Sequence, residues 1–215
     1  METNLINYTG ERVIPLMMST KSGLLREHIA RYRFAGSYVW GRTLDIACGA
    51  GYGCDILLRG PGKWLINEIF GVDNDPATIK YAKKHYPSPQ TRYVVADALD
   101  ENLVNKIGQF DSIVSFETIE HLEEDQLFIR NLKNLLSPEG VLIISTPLGR
   151  GRSYPCTNPY HFFQYTLEEF KSILETNFSY VDIYLQRNVI IEKPQADRKY
   201  YLAIAVCKNK NCYPG

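Results

Sequence analysis

Two spacings of apolar positions alternate along the chain. Short apolar or β-branched runs, the length of buried strands, lie between stretches whose apolar residues recur at helical spacing. The predicted strands are Thr43–Ala47, Ile69–Asp73, Tyr93–Ala96, Phe110–Phe116, Val141–Thr146, Tyr180–Leu185 and Tyr200–Cys207. The predicted helices are Lys21–Phe34, Tyr52–Arg59, Pro76–His85, Asn102–Ile107, Glu123–Leu136 and Leu167–Glu175. This alternation indicates an α/β fold, a doubly wound and mostly parallel sheet with helices on both faces.

Turn and cap signals refine these boundaries. The segment Ser137-Pro138-Glu139-Gly140 predicts a helix stop followed by a turn. Thr166 with Glu169 three residues later has the spacing of a capping box. Residues 186–198 are polar and contain Pro194, so we expect no helix between the last two strands. Those strands are therefore predicted to form a hairpin, which ends the sheet with an antiparallel strand.

Length, charge and cysteine content restrict the class of protein. We expect 215 residues to form a single domain, with an N-terminal helical segment at 1–40 and the core at 41–215. Lys+Arg and Asp+Glu number 24 each, and this balance weighs against a protein that works mainly on long nucleic acid. Five scattered cysteines without a CxxC pair indicate a reduced, cytoplasmic protein. No apolar run is long enough to span a membrane, so no membrane partner is expected.

A glycine loop follows the first predicted strand, in the segment Leu44-Asp45-Ile46-Ala47-Cys48-Gly49-Ala50-Gly51-Tyr52-Gly53. Its glycines permit close approach of a ligand to the backbone, and the helix that follows offers unpaired N–H groups. The dinucleotide-binding fingerprint GxGxxG is incomplete here, because Cys54 occupies the position of its third glycine. Asp45 lies inside an apolar strand, where a carboxylate is costly without a partner. It is predicted either to meet the cation of a ligand or to bind the loop amides.

Acidic residues also end the next two predicted strands. Asp73 lies at the carboxyl end of the second strand, where a carboxylate accepts hydrogen bonds from ribose hydroxyls. Asp97 follows the third strand and is predicted to accept from an adenine amino group. Asp75 precedes Pro76 and is predicted to cap the following helix. Three acids after three successive strands favour a nucleoside-binding site.

The order LDIACGAGYG, GVDND, VVADAL and FDSIVSFETIEHL resembles the class I S-adenosylmethionine-dependent methyltransferase family over nearly the whole chain. The resemblance implies a Rossmann-like seven-stranded sheet whose last strand is antiparallel, and S-adenosylmethionine as the cofactor. It assigns cofactor binding to Asp45, Ala47, Gly49, Gly51, Asp73, Asn74, Asp97, Ala98 and Phe116. The resemblance places the methionyl part at Asp45, Gly49 and Gly51. It places the ribose at Asp73 and Asn74, and the adenine at Asp97 and Ala98 with Phe116 beside the ring.

Candidate catalytic residues follow the fourth predicted strand. Glu117, Glu120 and His121 would share one face if the strand passes into a helical turn, although Glu120 and His121 could instead begin the next helix. A second histidine, His161, lies among aromatic residues after the fifth strand and could anchor the core or cover the site. Together these four residues could provide a base for an alcohol acceptor, or a metal site.

Two enzymatic hypotheses remain open. The segments Tyr8–Arg12 and Asn158–His161 resemble methyltransferases of bacterial surface glycans, which implies a sugar hydroxyl as acceptor and His121 or His161 as base. A nucleotide-linked sugar could then meet Arg150 and Arg152, unless those arginines form a solvated loop. Alternatively, the same ETIEH segment with His161 resembles small-RNA 3′-terminal 2′-O-methyltransferases, in which a magnesium ion is bound. The sugar hypothesis is preferred because the net charge is zero.

Two further alternatives concern the chain as a whole. A non-enzymatic sensor or scaffold that binds S-adenosylmethionine is also compatible with the pattern, although retention of all three acids and both histidines weighs against it. The N-terminal helix carries His28, Arg31 and Tyr32 on one side. It is predicted either to cover the cofactor as a lid or to pack as an amphipathic helix over the sheet.

Overall fold

The computed structural model describes residue 6 and residues 12–209. Its strands are β1 Gly41–Ile46, β2 Ile66–Asp73, β3 Thr91–Val95, β4 Phe110–Phe116, β5 Leu136–Pro147, β6 Tyr180–Arg187, β7 Ile190–Glu192 and β8 Leu202–Lys208. Its α-helices are α1 Gly23–Ala35, α2 Tyr52–Arg59, α3 Pro76–His85, α4 Leu103–Ile107, α5 Asp125–Leu135 and α6 Leu167–Asn177. All strands belong to one sheet in the order β3-β2-β1-β4-β5-β8-β6-β7.

The sheet has the predicted polarity. Strands β3, β2, β1, β4 and β5 are parallel, and β8 lies antiparallel between β5 and β6. The α/β fold class and the antiparallel last strand are therefore confirmed. The sheet has eight strands rather than seven, because the short β7 pairs with the end of β6. A strand of three residues is too short to show the alternation by which the sequence could reveal it.

The helix stop predicted at 137–140 is confirmed, since α5 ends at Leu135, but the predicted turn is wrong, because the chain does not leave the sheet there. Strand β5 begins at Leu136, which pairs with Phe110, and the next registered pair is Ser112 with Val141. The intervening residues form a bulge on β5. A Cβ atom at Gly140 would lie 2.7 Å from Cδ1 of Leu136, so the bulge closes over the buried leucine only with glycine at this position.

Local signals positioned several helices correctly. Helices α2 and α3 have the predicted bounds. The side chain of Asp75 accepts a hydrogen bond from the backbone N–H of Ala77 at 2.9 Å, as the predicted N-cap of α3. Thr166 and Glu169 form both hydrogen bonds of the predicted capping box at the start of α6. The sequence therefore specifies where α3 and α6 begin through short-range hydrogen bonds.

Helices cover both faces of the sheet, so the fold has three layers. Leu25, Leu57 and Ile79, from α1, α2 and α3, belong to the apolar cluster on one face. Leu103, Phe128 and Phe170, from α4, α5 and α6, belong to the cluster on the other face. In such sheets ligands bind beyond the carboxyl ends of the strands, where the strand order reverses. Here that point lies between β1 and β4.

The state of the cysteines and the length of the helices are visible in the described part of the chain. Cys48, Cys54, Cys156 and Cys207 are free thiols, whereas Cys212 lies outside the described residues. Between residues 12 and 209, every helix is too short or too polar to cross a membrane.

Candidate active site

A cavity of about 570 Å³ opens at the carboxyl ends of the central strands. It is lined by the segments that follow β1, β2, β3, β4 and β5, and by helix α1. The volume is in the usual range for small-molecule sites. The switch point of the sheet therefore contains a site large enough for a nucleoside cofactor with a small acceptor.

The glycine loop forms one wall of this cavity. Gly49 has a φ of 54°, and a Cβ atom there would meet nothing within 4 Å, so its backbone faces open space. Gly51 has a φ of 84°, but a Cβ atom there would lie 2.6 Å from Cβ of Ala82. Gly51 does not line the cavity; it permits close packing of the loop against helix α3. Ala47, which lines the cavity, has a positive φ of 59° although it is not glycine.

The acids of the second and third strands lie where the sequence predicts them. Asp73 lines the cavity, and its carboxylate accepts from the backbone N–H groups of Gly49 and Asp75, each at 3.0 Å. Asp97 is exposed, also lines the cavity, and accepts from the N–H of Leu99 at 2.9 Å. Seven of the nine predicted cofactor residues line the cavity, namely Ala47, Gly49, Asp73, Asn74, Asp97, Ala98 and Phe116.

Asp45 lies behind the cavity wall rather than in it. The residue is buried, and its two carboxylate oxygens accept from the hydroxyl of Tyr32 at 3.1 and 3.2 Å. The thiol of Cys54 lies 3.6 Å from one of them. Burial raises the pKa of Asp45 to about 7, against the hydrogen bond from Tyr32, which lowers it. The hydrogen-bond partner of the Asp45 carboxylate is thus Tyr32 of helix α1, and not the loop amides.

Glu117 directly follows strand β4 and has a strained backbone conformation. Its φ is 53°, in the left-handed region that non-glycine residues seldom adopt. The hydroxyl of Ser145 donates to its carboxylate at 3.0 Å. A short 3₁₀ turn, Ile119–His121, follows, and helix α5 begins only at Asp125. Glu120 and His121 therefore lie on a separate turn that faces the cavity and not in the next helix.

Glu120 is the most deeply buried carboxyl group of the site. The hydroxyl of Thr146 donates to its Oε2 at 3.0 Å, and no described residue forms a hydrogen bond with Oε1. Burial raises the pKa of Glu120 well above its usual range, and the carboxylate of Glu117 raises it further. Its chemistry therefore fits either a proton held in the cavity or a bound cation.

The two predicted histidines lie against each other. The imidazole rings of His121 and His161 meet edge to face with centroids 4.7 Å apart. Nδ1 of His121 lies 2.9 Å from the carbonyl oxygen of Tyr160, and the amide of Asn158 lies 3.1 Å from Nε2 of His161. One ligand atom each from Glu120, His121 and His161 fall within 4.8 Å of one another. The four predicted catalytic residues thus line one cavity.

Helix α1 contributes a wall that the sequence indicates only in part. Leu24, His28 and Tyr32, spaced four residues apart, line the cavity. Arg31 instead lies buried and donates to the side chain of Gln186 on β6 at 2.9 Å. The hydroxyl of Tyr52 and Nδ1 of His28 are 2.9 Å apart, and burial lowers the pKa of His28.

The arginines considered for phosphate binding have other partners. Arg152 forms an ion pair with Asp125, and its guanidinium lies 3.9 Å above the ring of Phe163. Neither Arg150 nor Arg152 lines the cavity. Arg12 does line it, and pairs with Asp75 at 3.1 Å. Of the sequence segment that suggested glycan methyltransferases, residues 8–11 lie outside the described residues.

Sequence comparisons show that the chain is similar to methyltransferases. Residues 44–144 match a family model described as a methyltransferase domain. Over 172 residues the chain is 29% identical to a probable S-adenosylmethionine-dependent methyltransferase of Mycolicibacterium smegmatis, covering 78% of this chain and 63% of that protein. The chain thus spans less than two thirds of the length of this relative.

Solved structures share the fold at low sequence identity. The small RNA methyltransferase HEN1 aligns with a TM-score of 0.69 and 20% identity, over 88% of this chain and 26% of that chain. The N-methyltransferase NodS from Bradyrhizobium japonicum, in complex with S-adenosyl-L-homocysteine, aligns with a TM-score of 0.65 and 20% identity. That alignment covers 88% of this chain and 89% of NodS.

Proposed function

We propose that the chain is a class I methyltransferase that uses S-adenosylmethionine as cofactor and methylates a hydroxyl group of a small acceptor, such as a sugar or glycan precursor; the match of residues 44–144 to a methyltransferase domain supports this proposal. One observation carries the proposal. A single cavity brings the acids that follow β2 and β3 together with Glu117, Glu120, His121 and His161.

The cofactor half of the cavity fits the proposed group. Gly49 offers open space where a Cβ atom would stand, and Asp73, already ordered by two backbone N–H groups, has further lone pairs for ribose hydroxyls. Asp97 and Ala98 lie on the wall proposed for adenine. When bound, S-adenosylmethionine supplies an activated methyl group on a sulfonium sulfur and leaves as S-adenosylhomocysteine.

The acceptor half supplies what an alcohol requires. A hydroxyl is a weak nucleophile while it keeps its proton, so a base within reach raises the rate. The carbonyl of Tyr160 accepts a hydrogen bond from Nδ1 of His121, which makes Nε2 the basic nitrogen of the neutral ring. We propose that His121 takes the proton and that His161 and Glu120 fix its position. Orientation of the acceptor along the sulfur–methyl axis contributes the remaining acceleration.

The lining favours a small, weakly charged acceptor over a polyanion. Among the described residues that line the cavity, Arg12 is the only lysine or arginine, and it is paired with Asp75. Nucleic-acid sites usually present several cations to phosphates. An uncharged sugar is compatible with a cavity that has few cations, and its hydroxyl group requires the base that the cavity provides.

The test is transfer of tritiated methyl from S-adenosylmethionine to a panel of methyl glycosides, nucleotide-sugars and a short RNA. We expect label in the sugar fraction, with S-adenosylhomocysteine formed in equal amount. Label confined to the RNA would overturn the sugar assignment. The matched control is His85→Ala, since His85 is an exposed histidine that does not line the cavity, and its activity should equal that of the wild type.

A second candidate function is favoured by the arrangement of Glu120, His121 and His161. Their ligand atoms lie within 4.8 Å of one another, and Oε1 of buried Glu120 has no hydrogen-bond partner among the described residues. Carboxylate and imidazole donors suit a divalent ion, so these residues fit a metal site. If Glu120, His121 and His161 held such an ion, it would act as a Lewis acid that activates an acceptor hydroxyl, such as one of the 3′-terminal ribose of RNA.

A manganese titration of protein saturated with S-adenosylhomocysteine distinguishes the two candidates. If the metal-assisted function holds, calorimetry will show one stoichiometric site that is lost in His161→Ala and retained in His85→Ala. If no heat of binding appears in any of the three proteins, the metal is excluded and His121 remains the base.

A further inference from the structure

One aromatic side chain of the cavity is exposed. Tyr32, Tyr52 and Phe116 line the cavity as buried rings, whereas Tyr160 also lines it and is 51% exposed. A single exposed tyrosine is ordinary on a protein surface. Tyr160, however, lines a ligand cavity, so its exposed ring is available to contact a bound acceptor.

The backbone that carries Tyr160 is fixed to the catalytic turn. The N–H of Phe162 donates to the carbonyl oxygen of Glu120 at 2.9 Å, and the carbonyl of Tyr160 accepts from His121 at 2.9 Å. The side chain of Asn158 accepts from the N–H of Tyr160 at 3.0 Å. The backbone of Tyr160 is therefore fixed beside the proposed base, which places the side chain of Tyr160 near the reacting group, as acceptor specificity requires.

Helix α1 provides an exposed apolar side chain that lines the same cavity. Along its cavity-lining stripe, exposure increases from Tyr32 at 4% through His28 at 9% to Leu24 at 37%. The helix thus passes from the depth of the cavity to its mouth, where Leu24 is the exposed end. We define Leu24 and Tyr160 as the rim pair.

We propose that the rim pair is the acceptor-specificity site, at which the ring of Tyr160 stacks on the C–H face of a sugar and Leu24 limits the other side. This inference rests on the proposed function and names the part of the acceptor that the protein recognises. A pyranose presents C–H groups on one face and hydroxyls at its edge, so stacking leaves an edge hydroxyl directed toward His121. The positive edges of C–H bonds are attracted to the negative face of an aromatic ring.

Saturation-transfer NMR tests the rim pair on protein saturated with S-adenosylhomocysteine. The probes are the methyl glycosides of glucose, galactose, mannose and rhamnose, and the variants are Tyr160→Ala, Tyr160→Phe and Leu24→Ala. Phe162→Ala is the matched control, because Phe162 is 59% exposed but does not line the cavity. Binding of S-adenosylhomocysteine to every variant is measured by calorimetry to verify the fold.

We expect at least one glycoside to bind, with an affinity about tenfold lower in Tyr160→Ala and retained in Tyr160→Phe and Phe162→Ala. In the transfer assay the same loss should appear in KM rather than kcat. Equal affinity in Tyr160→Ala and wild type would overturn the inference, even if the wild type methylates sugars and the proposed function stands. Tyr160-dependent binding without transfer would support the rim pair and count against the proposed function. Failure of every glycoside to bind or to be methylated would overturn both.

Discussion

The hydroxyl of Tyr32 donates to both carboxylate oxygens of Asp45, at 3.1 and 3.2 Å. This contact joins helix α1 to the strand that leads into the glycine loop. The ring of Tyr32 also packs edge to face on Phe116, with centroids 5.0 Å apart. A residue of the N-terminal helix therefore supports both the loop and the wall proposed for the cofactor.

The buried carboxyl of Asp45 predicts a pH dependence of stability. Its pKa is about 7 in the folded protein and about 4 in an unfolded chain. The folded state therefore keeps a proton that the unfolded state has lost, so stability falls as the pH rises from about 4 to about 7. Asp45→Asn removes this dependence. Relative to wild type, the variant should gain about 3 kcal/mol in free energy of unfolding between pH 5 and pH 8.

Urea denaturation of the ligand-free protein at the two pH values measures the effect. Asp100→Asn is the control, because Asp100 is paired with Lys106 and its pKa is lowered rather than raised. It removes the same charge but should not alter the slope between pH 5 and pH 8. An Asp45→Asn curve parallel to wild type would contradict the assignment of this proton.

Ala47 predicts a gain in stability at the site. Its φ of 59° is unfavourable for a residue with a Cβ atom, so Ala47→Gly should raise the free energy of unfolding by about 1 kcal/mol. Ala50→Gly, three residues later, is the matched control. Ala50 is buried, and its φ is not in the positive region, so glycine there should lower stability by about 1 kcal/mol. Thermal melts that move in the same direction for both variants would contradict the proposed strain.

His121 is predicted to be required for transfer but not for cofactor binding. His121→Ala should lower kcat at least about 100-fold, because it removes the proposed base, while the affinity for S-adenosylhomocysteine stays within about twofold. Transfer to the best acceptor of the panel, with calorimetry on the same samples, measures both quantities. A variant that keeps full kcat would exclude His121 as the base.

The sequence predicted those parts of the fold that depend on neighbouring residues. The bounds of α2 and α3, the Asp75 cap and the Thr166 capping box depend on residues within a few positions. The strand-end acids were found in the same way, because parallel strands bring their carboxyl ends to one edge. The short β7 could not be predicted, because it forms through antiparallel pairing with β6 and shows no alternation of apolar and polar residues.

Features that depend on distant contacts could not be predicted. Nothing near Asp45 in the sequence indicates that Tyr32, thirteen residues earlier, reaches its carboxylate. Gly49 and Gly51 belong to the same glycine motif. At Gly51, however, the absence of a Cβ atom makes room for Ala82 of helix α3. The exposure of Tyr160 at the cavity follows from loop packing, which no local sequence pattern indicates. The sequence motifs therefore predict which chemical groups the site contains better than they predict which residues line the cavity.

Calorimetric titration of S-adenosylhomocysteine into wild type and Asp73→Ala tests the central claim most directly, because it requires no knowledge of the acceptor. Asp100→Ala is the control, since Asp100 does not line the cavity. We predict one site in the wild type and the control, weakened at least about tenfold in Asp73→Ala by loss of charge-assisted hydrogen bonds to ribose. Absence of binding to the wild type, or equal affinity in Asp73→Ala, would contradict the assignment of this cavity to S-adenosylmethionine.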